Sequence, residues 1–119
     1  MSKGVAWLKA PDEHNYPAAE SYLNLVRDDA AALVRKLRAA PMATFKAKDV
    51  IRASGLPLLD DSNRHVAKDL KKIHDGEALS PLLLVRDAPH GKLIVADGYH
   101  RACAVYCLDE DADISCKIV

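Results

Sequence analysis

The stretch LLLVRDAPHGKLIVADGYHRACAVYCL, residues 82–108, decides the fold. Its two mainly apolar runs, 82–86 and 92–96, are typical of strands, and the five residues between them include a proline and a glycine. They predict an antiparallel hairpin. The first run is apolar at successive positions, so we expect that strand to lie inside the sheet with both of its faces covered. Residues 102–108 then predict a helix.

Further elements flank the hairpin on both sides. Residues 114–119 alternate in polarity and predict a last strand, while 44–46 predict a short strand followed by a helix over 48–53 that ends at Gly55. A second helix is expected where Val66, Leu70 and Ile73 recur at three- and four-residue spacing. Four residues at 60–63 offer N-caps for that helix, and Gly76 ends it.

The N-terminal part of the chain predicts one long helix over 17–39. Pro17 suits a first helical turn, and Pro41 ends the segment. One apolar stripe is expected to face the core, formed by Tyr22, Val26, Ala30, Leu33 and Leu37. This helix packs on the domain or forms a homodimer contact, and the pattern leaves both readings open.

These elements predict an α+β fold with a small mixed sheet. We expect one compact unit in which residues 1–42 pack on a domain formed by residues 43–119. The length of 119 residues fits a single domain, and 50% hydrophobic residues exclude a disordered chain. No apolar run approaches the ~20 residues of a membrane span, so no membrane partner is expected. Three cysteines and the lack of a signal-peptide core predict a cytoplasmic protein.

The net charge of zero conceals an uneven distribution. Residues 1–26 carry 2 basic and 3 acidic groups, residues 27–72 carry 11 and 6, and residues 73–119 carry 4 and 8. The middle third is therefore basic and the last third acidic. A basic segment of this kind is either a set of solvated helix faces or a footprint for nucleic acid.

Residues 97–101, at the junction between the second hairpin strand and its helix, are the candidate functional site. A helix N-terminus presents free amides and a partial positive charge, and Gly98 allows a ligand to approach the backbone. Donors come from His100 and Arg101, and an arginine can hold phosphate oxygens with two parallel hydrogen bonds. Asp97 could orient a hydroxyl, a metal ion or the arginine. The structural alternative is a capped helix in which Asp97 accepts backbone amides.

Two further groups of side chains have chemical potential. Positive charge comes from Lys68, Lys71 and Lys72 on one helix, with Arg52 and Arg64 as weaker candidates. A conceivable zinc site joins His100, Cys103, Cys107 and Cys116, although buried small cysteines explain the same pattern. We expect no metal site, no redox cysteine, and surface or capping roles for the other histidines, His65 included.

The stretch from about Phe45 to Val119 resembles the ParB/sulfiredoxin-like superfamily, which includes the ParB N-terminal (ParB-like nuclease) domain. Gly98, Arg101 and Ala104 fit the Gly-x-x-Arg-x-x-Ala pattern with which ParB proteins hold nucleotide phosphates. With His100 they also fit the sulfiredoxin Gly-Cys-His-Arg region, and Asp97 extends the match to the Asp-Gly-His-His-Arg signature of ParB-like free serine kinases. The resemblance covers about two-thirds of the chain.

The resemblance implies a domain that binds ATP or CTP with Mg²⁺. Phosphate ligands would be Gly98, Tyr99, His100 and Arg101, with Lys68 and Lys72 from the preceding helix. Catalytic roles would fall to Asp97, as base or magnesium ligand, and to His100, with Asp60 or Asp61 in reserve. Tyr99 replaces the reactive sulfiredoxin cysteine, so reductase activity is not expected. The Glu and second Arg of the ParB motif are also absent, which argues against ParB-type CTP hydrolysis.

Three functions therefore follow as hypotheses. The first is nucleotide phosphate binding, with phosphoryl transfer or nucleoside triphosphate hydrolysis as its enzymatic form. The second is a DNA-binding or nuclease-like domain that uses the basic middle segment. The third is a non-enzymatic module that dimerises through the N-terminal helix.

Overall fold

The computed structural model describes residues 4–119. The fold is α+β, as predicted, with helices on both faces of one mixed sheet. Helices are α1 Asn15–Val26, α2 Ala30–Ala39, α3 Ala47–Ser54, α4 Arg64–His74 and α5 Tyr99–Leu108, with a 3₁₀ turn at Ala88–His90. Strands are β1 Met42–Lys46, β2 Leu82–Asp87, β3 Lys92–Asp97 and β4 Asp113–Ile118.

The four strands lie in the order β1-β4-β2-β3. The hairpin β2–β3 is antiparallel, as predicted, and β1 pairs antiparallel with β4. The central pair, β2 and β4, is parallel. The inside position expected for the first hairpin strand is therefore confirmed, since β2 has a neighbour on each side.

Successive side chains of β2 enter two different cores, which explains why its first four positions, 82–85, are all apolar. Leu82 and Leu84 pack with α3, α4 and α5 on one face, whereas Leu83 and Val85 pack with α1 and α2 on the other. All four side chains are at most 1% exposed. A strand buried on both faces needs such a continuous apolar run.

The single helix predicted over 17–39 is wrong, because the chain breaks into α1 and α2 at residues 27–29. Arg27 Nη2 donates to Asp29 Oδ2 at 2.9 Å across this break. The break also changes the buried stripe: α1 buries Tyr16, Ala19 and Leu23, whereas Tyr22 and Val26 are 41% and 48% exposed. The prediction holds only for α2, where Ala30, Leu33 and Leu37 are buried.

The start of α4 is fixed by one of the four predicted caps. Asn63 Oδ1 accepts from the backbone N–H groups of His65 and Val66, at 2.9 and 3.2 Å. These bonds satisfy two of the amides that the first turn of a helix leaves free. The predicted stripe then buries Val66 and Ile73 against the core, with Leu70 half-buried beside them.

None of the helices within residues 4–119 is both long enough and apolar enough to cross a membrane.

Candidate functional site

A tight turn at Gly98 joins β3 to α5 and creates the site. The β2–β3 register shifts between Leu83 and Leu84, which pair with Asp97 and Val95, so Ala96 forms a bulge one residue before the turn. Bulges redirect the side chains that follow them. Gly98 has φ 110°, a left-handed conformation that side-chain-bearing residues rarely adopt. This geometry places the carboxylate of Asp97 beside the first turn of α5.

The N-terminus of α5 has no side-chain cap. Tyr99, His100 and Arg101 form its first turn, and the first N–H groups of a helix have no intrahelical acceptor. Asp97 does not cap these amides: its Oδ2 accepts from Arg101 Nη2 at 3.1 Å instead. The capped-helix alternative is therefore wrong. Asp97 forms an ion pair with Arg101, and the N-terminus of α5 stays open.

One face of α4 lies opposite this helix terminus and closes a pocket of about 210 Å³, here called the α4–α5 pocket. From the turn and α5, its lining consists of Asp97, Gly98, Tyr99, His100 and Arg101. From α4, its lining consists of His65, Lys68, Asp69 and Lys72. All seven residues that the sequence selected for the site therefore line a single pocket.

Other residues that the sequence suggested lie outside this pocket. Lys71 points away on α4, where its Nζ is 2.8 Å from Asp75 Oδ2. Arg52 lines a different pocket beside Tyr106. The carboxylate of Asp60 accepts from the backbone N–H and hydroxyl of Ser62 and is not part of the α4–α5 lining.

His65 and Asp69 are pocket residues that the sequence reasoning missed. The surface or capping role expected for His65 is incomplete, since its ring lines the pocket. The signal was present in the sequence: positions 65, 68, 69 and 72 follow i, i+3, i+4 and i+7 spacing, which places them on one helix face. The apolar stripe of α4 occupies another face.

Two imidazoles meet inside the pocket. The ring centroids of His65 and His100 are 4.7 Å apart, with an angle of 41° between the ring planes. Burial lowers the pKa of His100 below its ordinary value of 6.5, and the nearby His65 and Arg101 act in the same direction, against the opposing effect of Asp69. His100 is therefore mainly neutral at pH 7 and can accept a proton.

Asp69 is a half-buried carboxylate among cations. Burial raises its pKa above 3.8, while Arg101, Lys72, His100 and Lys68 act in the opposite direction. These four groups converge on one carboxylate from two helices. An anion that enters the pocket would approach the three of them that are positively charged, Arg101, Lys68 and Lys72.

The phenol of Tyr99 is engaged outside the pocket. Its hydroxyl donates to the backbone carbonyl of Pro57, and burial, followed by the nearby Cys103, raises its pKa. Its ring centroid lies 5.5 Å from that of His100. Tyr99 thus links α5 to the segment that precedes α4, and its ring packs beside that of His100.

The cysteines do not assemble a metal centre with His100. Within residues 4–119, no three His, Cys, Asp or Glu side chains are grouped as metal ligands. Cys103 and Cys116 are buried and Cys107 is exposed. Burial raises the pKa of all three thiols, that of Cys116 to about 11, so each is protonated at neutral pH.

The α4–α5 pocket combines features suited to a small anion. Lys68, Lys72 and Arg101 supply three permanent positive charges, and the α5 terminus adds backbone donors. Asp69 and Asp97 supply carboxylate oxygens that can hold a cation or accept a proton. The sequence matches no protein-family model, and comparisons with curated proteins and with solved structures likewise give no match.

Proposed function

We propose that this protein is a nucleotide-binding domain that holds the phosphates of ATP or CTP in the α4–α5 pocket. The observation that carries the proposal is the convergence of Lys68, Lys72 and Arg101 on the open N-terminus of α5. Polyphosphates are bound at such termini because backbone N–H groups and the helix dipole both favour negative charge.

The charge balance of the pocket favours a ligand that brings its own cation. Three positive side chains face two carboxylates, so the pocket alone offsets little of the charge on a triphosphate. Mg²⁺ commonly binds through one or two carboxylates together with substrate phosphates, and Asp69 and Asp97 fit that donor set. These two residues would hold the ion, which would reduce the phosphate charge.

Phosphoryl transfer or hydrolysis is the enzymatic form of the proposal. Such reactions depend mainly on positioning and on charge stabilisation, which Arg101 and the two lysines would supply. A neutral His100 could accept the proton of an attacking hydroxyl or water, and Asp97 is the alternative base.

The resemblance to the ParB/sulfiredoxin-like superfamily supports the same ligand class. Gly98, Arg101 and Ala104 occupy the pattern that the family uses for phosphates, and membership of that superfamily is part of this proposal. The engaged hydroxyl of Tyr99 at the reactive-cysteine position argues against a reductase. The homodimer and nucleic-acid hypotheses remain predictions.

Isothermal titration of the full chain with ATP and CTP, with and without Mg²⁺, tests the binding. The matched variants are Lys72→Gln and Lys71→Gln, which remove the same charge from adjacent positions of α4. We expect Lys72→Gln to weaken binding about tenfold or more, because hydrogen bonds to charged groups contribute ~1.5–3 kcal/mol. Lys71→Gln should leave the affinity unchanged.

Equal losses in both variants would indicate a general charge effect and contradict the proposed pocket. Phosphate release or transfer assays then decide the enzymatic form: binding without turnover removes it and leaves nucleotide binding. The alternative outcome is that the protein binds a DNA oligonucleotide when no nucleotide is present. An affinity for DNA that falls steeply as the salt concentration rises would favour the nucleic-acid hypothesis.

A further inference from the structure

A second pocket, of about 260 Å³, lies between α3 and the sheet, near the β2–β3 turn. We call it the hairpin-end pocket. Its lining includes Leu93, near the start of β3, whereas Gly98 follows the last residue of the same strand. The two pockets therefore lie at opposite ends of β3 and share no lining residue.

The interior of the hairpin-end pocket is apolar. Val50 of α3 and Leu84 of β2 are at most 2% exposed and belong to the core. Around them, Leu93 and Ile118 are half-buried and Phe45 is 38% exposed. Water that covers Phe45, Leu93 and Ile118 would be released by an apolar ligand, which favours binding.

The mouth of the pocket carries charged side chains. Arg86 and Lys92 are exposed, and within residues 4–119 neither of them forms an ion pair. Asp49 also contributes to the lining and, in the described part of the chain, forms no ion pair with either cation. Among the lining residues, the mouth therefore holds two cations and one carboxylate beside an apolar interior.

We propose that the hairpin-end pocket binds a free aliphatic carboxylate, with its chain between α3 and the sheet and its carboxylate at Arg86 and Lys92. The apolar lining selects the chain, and the arginine fork matches the two oxygens of a carboxylate. This inference does not depend on nucleotide binding, because its residues are separate from the α4–α5 pocket.

Titration of the full chain with octanoate, octan-1-ol and butyrate tests the proposal through amide chemical shifts in NMR spectra. Octanoate should shift the resonances of Val50, Leu84, Leu93 and Ile118. The alcohol has the chain without the charge, and butyrate has the charge with a shorter chain. We expect each to bind at least about tenfold more weakly than octanoate, because each lacks one of the two interactions.

Charge variants test the mouth. Arg86→Gln/Lys92→Gln should weaken octanoate binding about tenfold and leave octanol binding unchanged. Its control, Arg35→Gln/Lys36→Gln, removes the same charge from exposed positions of α2 and should have no effect. Asp49→Asn should strengthen octanoate binding, because it removes a negative charge from the mouth.

Three results would overturn the proposal. These are no saturable shifts with octanoate, equal affinity for octanoate and octanol, and octanoate affinity that does not change in Arg86→Gln/Lys92→Gln. A variant that fills the pocket, Ala53→Phe, separates this site from general surface association. It should abolish the octanoate shifts while its thermal unfolding confirms that the chain is folded.

Discussion

A side-chain carbon placed on Gly98 would lie 2.6 Å from Cγ of Leu82, well inside van der Waals contact. The same carbon would lie 2.9 Å from Arg101 Nη2. Leu82 is fully buried in the core and cannot move aside without loss of packing. The turn that creates the α4–α5 pocket is therefore restricted to glycine by its surroundings and by its backbone conformation.

We expect Gly98→Ala to lower the free energy of unfolding by about 2–5 kcal/mol, from left-handed strain of ~1–2 and core overlap of ~1–3. Gly76→Ala is the control, because Gly76 also has positive φ, 77°, but has open space around it. Its loss should be limited to the strain, about 1–2 kcal/mol. Urea unfolding measures both, and equal losses would show that the contact with Leu82 is unimportant.

On the proposed function, Asp97→Asn should separate nucleotide affinity from turnover. The substitution removes one negative charge from the pocket and frees the guanidinium of Arg101, so inorganic phosphate and magnesium-free ATP should bind more tightly. Phosphate release should fall if Asp97 is the base or the magnesium ligand. Titration and a phosphate-release assay measure the two effects. Weaker binding of magnesium-free ATP by Asp97→Asn would contradict this account of the pocket charge.

Asn63→Ala should destabilise the protein by about 1 kcal/mol, because α4 loses the acceptor of two backbone N–H bonds. Asn63→Ser keeps a capping oxygen and should lose only a few tenths of a kcal/mol. Urea unfolding distinguishes the two variants. Identical stabilities of Asn63→Ala and Asn63→Ser would argue that the cap has no role. Because α4 carries Lys68 and Lys72, we also expect Asn63→Ala to weaken the proposed nucleotide binding.

Stability should depend on pH through His100. The pKa of His100 in the folded protein is below 6.5, the ordinary value that applies to the unfolded chain. At pH values between the folded and unfolded pKa, the unfolded chain therefore binds more protons than the folded chain. The free energy of unfolding should therefore fall as the pH drops from 7 through this window. Asp69, whose pKa is raised, acts in the opposite direction at lower pH.

Urea unfolding between pH 5 and pH 8 tests this dependence. The His100→Gln variant should give a flatter profile than the natural sequence. His14→Gln is the control, since His14 lies before α1, away from the pocket. A profile that keeps its slope in His100→Gln would assign the effect to other groups.

The sequence allowed much of this arrangement to be predicted because its signals are local. The hairpin, the buried β2 and the Asp97-Gly98 turn each follow from residues close together in the chain. The pairing of α4 with α5 is a tertiary contact, so His65 and Asp69 had no partner that could be identified from spacing alone.

The break between α1 and α2, by contrast, could not be predicted from the local sequence. The spacing of Val26 and Ala30 is compatible with one continuous helix, and no proline or glycine interrupts it. The turn lets α2 pack against α1 while α1 packs on β3, so that Leu23 and Leu33 enter one buried cluster. A single straight helix could not bring these two halves into contact with each other.

The double-sided burial of β2 has a practical consequence for work with shorter chains. A chain that begins at residue 43 would retain every residue that lines both pockets but would expose Leu83, Val85 and Ala96 to water. Neighbouring apolar side chains on a bare sheet promote self-association. Such a fragment should aggregate unless these positions are made polar, so the N-terminal helices determine whether the sites can be studied in isolation.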